Sequence, residues 1–282
     1  MKPILNLSIS EKTKWVKNIA DKYKLHSICV EGNCPNREKC FQRGNITFMI
    51  LGDTCTRNCT FCSVNKGKPQ TVDPMEANNI AEAIAELKPH HIVVTSVTRD
   101  DLSDGGASQF YEVARKIKEV DSDILLELLV PDFKGDDKAF DILLEAPLDI
   151  FGHNLETVDR LYPILRPMAD YSLSLSVLER GAKHGFIPKT GIMVGCGESV
   201  REVEKLMKEV VSTGCKIITI GQYLQPSKFA LKVKEYIDDK IFSHYREYGA
   251  SLGLETFSAP LVRSSYIADL SSEELKTLKE WR

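Results

Sequence analysis

Between residues 46 and 251 a short apolar run gives way six times to a longer stretch of helical period, and this alternation limits the fold more than any other feature of the chain. Strands are predicted near 46–51, 91–97, 124–130, 149–154, 188–194 and 216–222. Helices are predicted near 106–119, 136–145, 157–163, 171–184, 199–213 and 234–251. The helix after the first strand is signalled by Asp73-Pro74-Met75-Glu76, which supplies an N-cap, a proline at the first helical position and a box glutamate. Apolar strands separated by amphipathic helices pair in parallel through right-handed crossovers, so the class is α/β. Eight such units need about 250 residues, and only about 200 are available here, which predicts a partial (β/α)6 TIM-like barrel open on one side. A further strand near 254–259 could close an edge. In a βα barrel chemistry collects where strands exit into the following loops, and the loop after the first strand, 98–106, 131–133, Asn154 and 195–198 all map to that rim.

Extensions flank the barrel. Residues 1–45 are expected to form an N-terminal helix and a cysteine-rich segment, 46–255 the barrel, and 256–282 a C-terminal segment. Ser8 and Glu11 make a capping-box pattern, and Trp15, Ile19 and Tyr23 recur at helical spacing, an aromatic stripe expected to pack on the barrel.

Six of the eight cysteines form two triads of different pitch: Cys29, Cys34 and Cys40, then Cys55, Cys59 and Cys62. Thiolates separated by two to five intervening residues can converge on one soft metal or cluster without distorting the backbone. The second triad, C-x3-C-x2-C with Phe61 before its last cysteine, lies on the loop after the first strand. Zinc usually takes four ligands, yet only three thiolates are local and no histidine lies between Asn45 and Pro89. An iron-sulfur cluster with one open iron matches that count better than a structural zinc loop or reduced core cysteines. Cys196 and Cys215 stand apart and are expected to be buried free thiols.

The second triad resembles the signature of the radical S-adenosylmethionine enzymes. That resemblance implies a [4Fe-4S] cluster on Cys55, Cys59 and Cys62, whose open iron chelates S-adenosylmethionine and whose electron cleaves it to a 5'-deoxyadenosyl radical. The first triad, C-x4-C-x5-C, and Arg263-Ser264-Ser265-Tyr266 are similar to motifs of the lipoyl synthase family. The resemblance implies a second, auxiliary [4Fe-4S] cluster on Cys29, Cys34, Cys40 and Ser265, consumed as the sulfur donor for C6 and C8 of a protein-bound octanoyl-lysine. Read without the family, the serine pair is a turn or a helix entry. The segments 96–107, 131–133, 153–156, 191–195 and 221–227 also match, so the likeness runs from about residue 29 to 268. Residues 228–231, Lys-Phe-Ala-Leu, depart from the histidine-containing pattern expected there. Implied partners are octanoylated lipoyl carrier domains or a glycine cleavage H protein, an electron donor such as ferredoxin or flavodoxin, and an iron-sulfur carrier protein. A biotin-synthase-like sulfur-inserting enzyme and a non-enzymatic two-cluster electron-transfer protein are the rivals.

Several residues admit two readings. Glu127 interrupts an apolar strand, and a buried carboxylate must find a partner or face a polar cavity, so it is a candidate S-adenosylmethionine contact or half of an ion pair. Arg166 and Arg99 could grip the cofactor carboxylate or form salt bridges. Asn154 is a further candidate contact at the rim. Gly105-Gly106 and Gly195-x-Gly197 serve close approach or turns, His153 positions substrate or sits in the core, and Lys66 and Lys68 are a basic patch or solvated loop lysines.

A net charge of −3 and a pI near 6.1 give no basic footprint for nucleic acid. No apolar run approaches the roughly 18 residues of a membrane span, and no secretory leader is evident, so a cytoplasmic, membrane-free protein is expected.

Overall fold

The computed structural model describes residues 10–265. Helix α1 (Glu11–Lys22) buries Val16 and Ile19 and is capped by Ser10, whose hydroxyl accepts from the Thr13 amide. The cap expected at Ser8 lies outside the described residues; Trp15 and Tyr23 pack against the core as expected.

The barrel strands are β1 (Thr47–Ile50), β2 (His91–Ser96), β3 (Leu125–Leu129), β4 (Ile150–Gly152), β5 (Ile187–Val194), β6 (Ile217–Gln222) and β7 (Glu255–Ala259). They pair in parallel in sequence order, and the short strand His26–Ser27 adds antiparallel to β1. Among the described residues His26–Ser27 and β7 are the two sheet edges, so the barrel stays open. Beyond α1, the long helices on the outer face are α2 (Glu76–Leu87), α3 (Ala107–Val120), α4 (Asp137–Leu144), α5 (Tyr171–His184), α6 (Val200–Ser212) and α7 (Asp239–Ser251). Strands β1 to β6 are buried almost throughout and read as apolar runs, whereas the edge strand β7 is partly exposed and more polar. Phe110, Val113, Phe140, Leu126 and Leu128 fill one core, and Leu155, Val203, Leu206, Ile218 and Ile220 fill another.

Three elements differ from expectation. The helix near 157–163 is a 3-10 turn, Asp159–Leu161, followed by one α-turn, Tyr162–Leu165, with Pro163 in its first turn. The helix predicted over 234–251 begins only at Asp239, capped by Asp238, because the Gln222 side chain pins the preceding loop through the Glu235 carbonyl and the Ile237 amide. Asp73 does accept from the Met75 amide, but Glu76 makes no capping box. Its carboxylate turns inward and accepts from the Leu51 amide and from Gln109, fastening α2 to the exit of β1.

Alternation along the strands puts Thr47, Met49, Val93, Thr95, Leu129 and Met193 on one inner face, where they line a cavity at the strands' C-terminal ends. The same period places His91, Glu127 and Lys189 one or two steps below, as the floor beneath that cavity.

Candidate functional site: a cysteine-lined cavity

A cavity of about 340 Å³ opens over the inner strand face and is lined by cysteines of both triads: Cys29 and Cys34 from the first, Cys55, Cys59 and Cys62 from the second. Arg263, Ser264 and Ser265 line it too. Cys40, on the helix Arg37–Gln42, is half-buried against the core and is not among the lining residues.

The second-triad loop is held tightly. Arg57, between the first two cysteines, is 5% exposed and donates in paired fashion to Asp100 at 2.8 and 2.9 Å and to Asp132 at 2.6 and 2.5 Å. Thr56 bonds the Thr98 carbonyl through both amide and hydroxyl, and Thr60 donates to the carbonyls of Leu165 and Ile164. Lys66 reaches the Cys59 carbonyl at 3.0 Å. Burial raises the Asp132 carboxyl, but the Arg57 guanidinium outweighs it and holds the group down at about 2. Four charge-assisted bonds to a planar donor define the loop's position far better than lone surface pairs do.

In the first triad, Ser27 caps the turn carrying Cys29 by accepting from its amide, and the Cys34 amide donates to the Cys29 carbonyl. The triads are tied together by Ser63, directly after Cys62, which donates to the carbonyl of Glu31 at 2.9 Å. The C-terminal segment joins them through Asn36, whose side-chain amide donates to the Leu261 carbonyl at 2.6 Å.

Asn154 and Arg166 face the cavity, as does Glu156, a residue that sequence reasoning left without a role. Asn154 donates to the Glu156 carboxylate at 3.0 Å, and Arg166 is anchored on the Asn154 carbonyl and the Tyr162 hydroxyl. Burial pushes Glu156 above the ordinary carboxylate range against the pull of Arg166 and Asn154. No local period signals Glu156: it lies past the end of β4 with a φ of 67°, and its bridge to Ile192 on β5 sets its place.

Glu127, expected as a possible cofactor contact, does not line the cavity. It is fully buried and accepts two 2.7 Å bonds from Lys189, with His91 at 3.6 Å, so the ion-pair reading describes it. Burial raises it most, yet Lys189 and His91 together pull it the other way and the carboxyl sits below its ordinary range. Arg99 is likewise structural: it is buried, forked onto Asp101 and bonded to the Leu51 carbonyl. His153 is a core histidine, with Nδ1 donating to the Val130 carbonyl at 2.8 Å and burial lowering its pKa to about 4. Gly106 has φ of 93° and a Cβ there would meet Leu51 at 2.3 Å, while one on Gly195 would strike Gln222 and the Glu235 carbonyl. Both glycine pairs are turns packed against protein. Cys196 and Cys215 are buried thiols.

Among the described residues, no three histidine, cysteine or carboxylate groups converge as ligands of a single ion. A zinc ion would draw its sulfurs to within about 4 Å of one another. Cluster thiolates each hold a different iron, and the second triad brings three of them to the cavity, the count that a [4Fe-4S] cluster with one open iron takes. Burial raises the thiols of Cys34 and Cys59 and pushes Cys62 up to about 11, so iron must displace protons to bind.

The model of the radical SAM superfamily matches residues 49–210, more than half of the chain. The lipoyl synthase of Caldicellulosiruptor saccharolyticus is 50% identical over 267 residues, covering 94% of this chain and 92% of that protein. The lipoyl synthase of Alkaliphilus metalliredigens is 41% identical over 278 residues, covering 98% and 96%. Among solved structures, SuiB of Streptococcus suis bound to S-adenosylmethionine superposes with a TM-score of 0.59 at 11% identity, covering 91% of this chain and 57% of that one. Methylornithine synthase, PylB, superposes with a TM-score of 0.56 at 13% identity, covering 90% and 78%. These distant likenesses concern the fold and agree with a partial barrel.

Proposed function

The chain belongs to the lipoyl synthase family of the radical SAM superfamily, an enzyme family of sulfurtransferases, and from that premise we propose that it inserts two sulfur atoms, at C6 and C8, into an octanoyl group carried on a protein lysine. One observation carries the proposal: five cysteines from two triads and Ser265 face a single cavity. Cys55, Cys59 and Cys62 would hold the [4Fe-4S] cluster that binds S-adenosylmethionine, and Cys29, Cys34, Cys40 and Ser265 the auxiliary one. When bound, these groups supply an electron for sulfonium cleavage and sulfide for the acyl chain.

The protein's own part is positioning. Arg57, clamped by Asp100 and Asp132, presents the second-triad loop to the cavity in one geometry. Asn154, Glu156 and Arg166 form a polar corner on the cavity wall. A carboxylate beside an arginine suits the amino and carboxylate groups of an amino-acid cofactor, the former accepted by Glu156 and the latter held by Arg166. Apolar wall residues, Met49, Val93, Val97, Leu129 and Met193, suit an acyl chain that offers nothing polar to grip. Octanoylated lipoyl carrier domains or an H protein would present that chain, with ferredoxin or flavodoxin as electron donor and an iron-sulfur carrier to rebuild the auxiliary site.

The test is incubation of anaerobically reconstituted protein with S-adenosylmethionine, reductant and an octanoylated carrier peptide. Two added sulfurs by mass spectrometry are expected; 5'-deoxyadenosine without sulfur addition would refute the assignment of the first triad.

A further inference from the structure

We infer that the buried Lys189–Glu127 pair and Asn36 act as positioning residues for Ser265, fastening the C-terminal segment so that the serine hydroxyl is delivered beside Cys29 and Cys34. The inference rests on the proposed reading of the first triad and Ser265 as one cluster site.

Glu127 is 0% and Lys189 1% exposed, on β3 and β5 beneath the cavity. A buried ion pair contributes little net stability compared with apolar packing, so its presence asks for another explanation. The ammonium group has three donors. Two are taken by the Glu127 oxygens at 2.7 Å each, and the third is given to the main-chain carbonyl of Ser264, the residue before Ser265. Glu127 therefore aims Lys189 upward, and Lys189 ties the barrel floor to the C-terminal segment.

The segment is held on its other side as well. Asn36, between Cys34 and Cys40, donates to the Leu261 carbonyl at 2.6 Å. Between these anchors the chain lies directly on β6: a Cβ on Gly221 would sit 2.1 Å from the Val262 carbonyl oxygen, so only glycine admits the approach. Arg263 closes the turn on the carbonyls of Val262 and Pro260. One anchor thus comes from the first-triad loop and one from the barrel, and Ser265 follows the second by a single residue. A hydroxyl is a weak iron ligand beside thiolates, so its hold depends on being kept in place by surrounding bonds.

The experiment uses the full chain, reconstituted anaerobically, and follows iron release into a chelator. Four proteins are compared: wild type, Ser265→Ala, Asn36→Ala and the double variant Lys189→Met/Glu127→Leu, which removes both charges together and so leaves no lone buried ion. All three variants are expected to release half of their iron about tenfold faster than wild type, the scale of one lost bond to a charged or ligating group, while the other half leaves at the wild-type rate. Fast release from Ser265→Ala with wild-type release from the other two overturns the inference and leaves the serine's role standing. Wild-type release from Ser265→Ala removes the reading beneath it and the inference with it. Uniform acceleration of all the iron would signal general loosening and also overturns it. Should the double variant not fold, Asn36→Ala alone decides, since that side chain is outside the core.

Discussion

Single residues divide the labour at this site. Cys59→Ala is expected to abolish 5'-deoxyadenosine formation, because three thiolates are the least that can hold a cluster with an open iron. Cys34→Ala is expected to retain part of that cleavage while stopping sulfur insertion; equal loss of both activities would contradict two separate centres. Glu156→Gln keeps the shape of the polar corner and removes its charge, so S-adenosylmethionine should bind roughly tenfold more weakly by equilibrium dialysis, the scale of one charge-assisted hydrogen bond. Residue chemistry was legible where spacing revealed it, as in both triads. It was not legible for Glu127, since a charge in an apolar strand announces that a partner exists without saying which. Lys189, another charge in an apolar strand, is that partner, 62 positions away.

At the level of elements, the loops between strands and helices hold the site together through buried ion pairs and hydrogen bonds. Arg57→Leu would leave Asp132 buried and unpaired at the foot of the second-triad loop, and a loss on the order of 3 kcal/mol in unfolding free energy is expected by denaturant titration. At the exit of β4, His153 stays neutral down to about 4 in the folded chain, whereas its ordinary value is 6.5. Between those values the unfolded chain binds more protons, so stability falls as pH drops from 6.5 towards 4, by on the order of 3 kcal/mol. Melting curves across that interval should show the decline, and His153→Gln should flatten it. Strand and helix order was readable from periodicity because parallel strands buried on both faces are apolar runs. Boundaries were not: the start of α7 at Asp239 is set by Gln222 reaching across to the loop, a contact no local pattern encodes.

For the whole molecule, the open edge of the barrel is where the two extensions meet. Residues 26–27 add to β1 while residues 260–265 run from β7 past the first-triad loop, so segments flanking the barrel on both sides in the sequence line one cavity. Metal loading should therefore stabilise the entire fold, and the reconstituted protein is expected to melt several degrees above the iron-free chain, with about eight irons bound per chain. The sequence alone determined the βα order, the partial barrel and the two thiol triads, since these are written in periods and spacings of a few residues. Tertiary structure alone decided that five cysteines of the two triads and Ser265 share a cavity, that Glu156 and not Glu127 faces it, and that Lys189 reaches the C-terminal segment. Such facts depend on contacts between residues tens to hundreds of positions apart, and only the folded backbone brings those together.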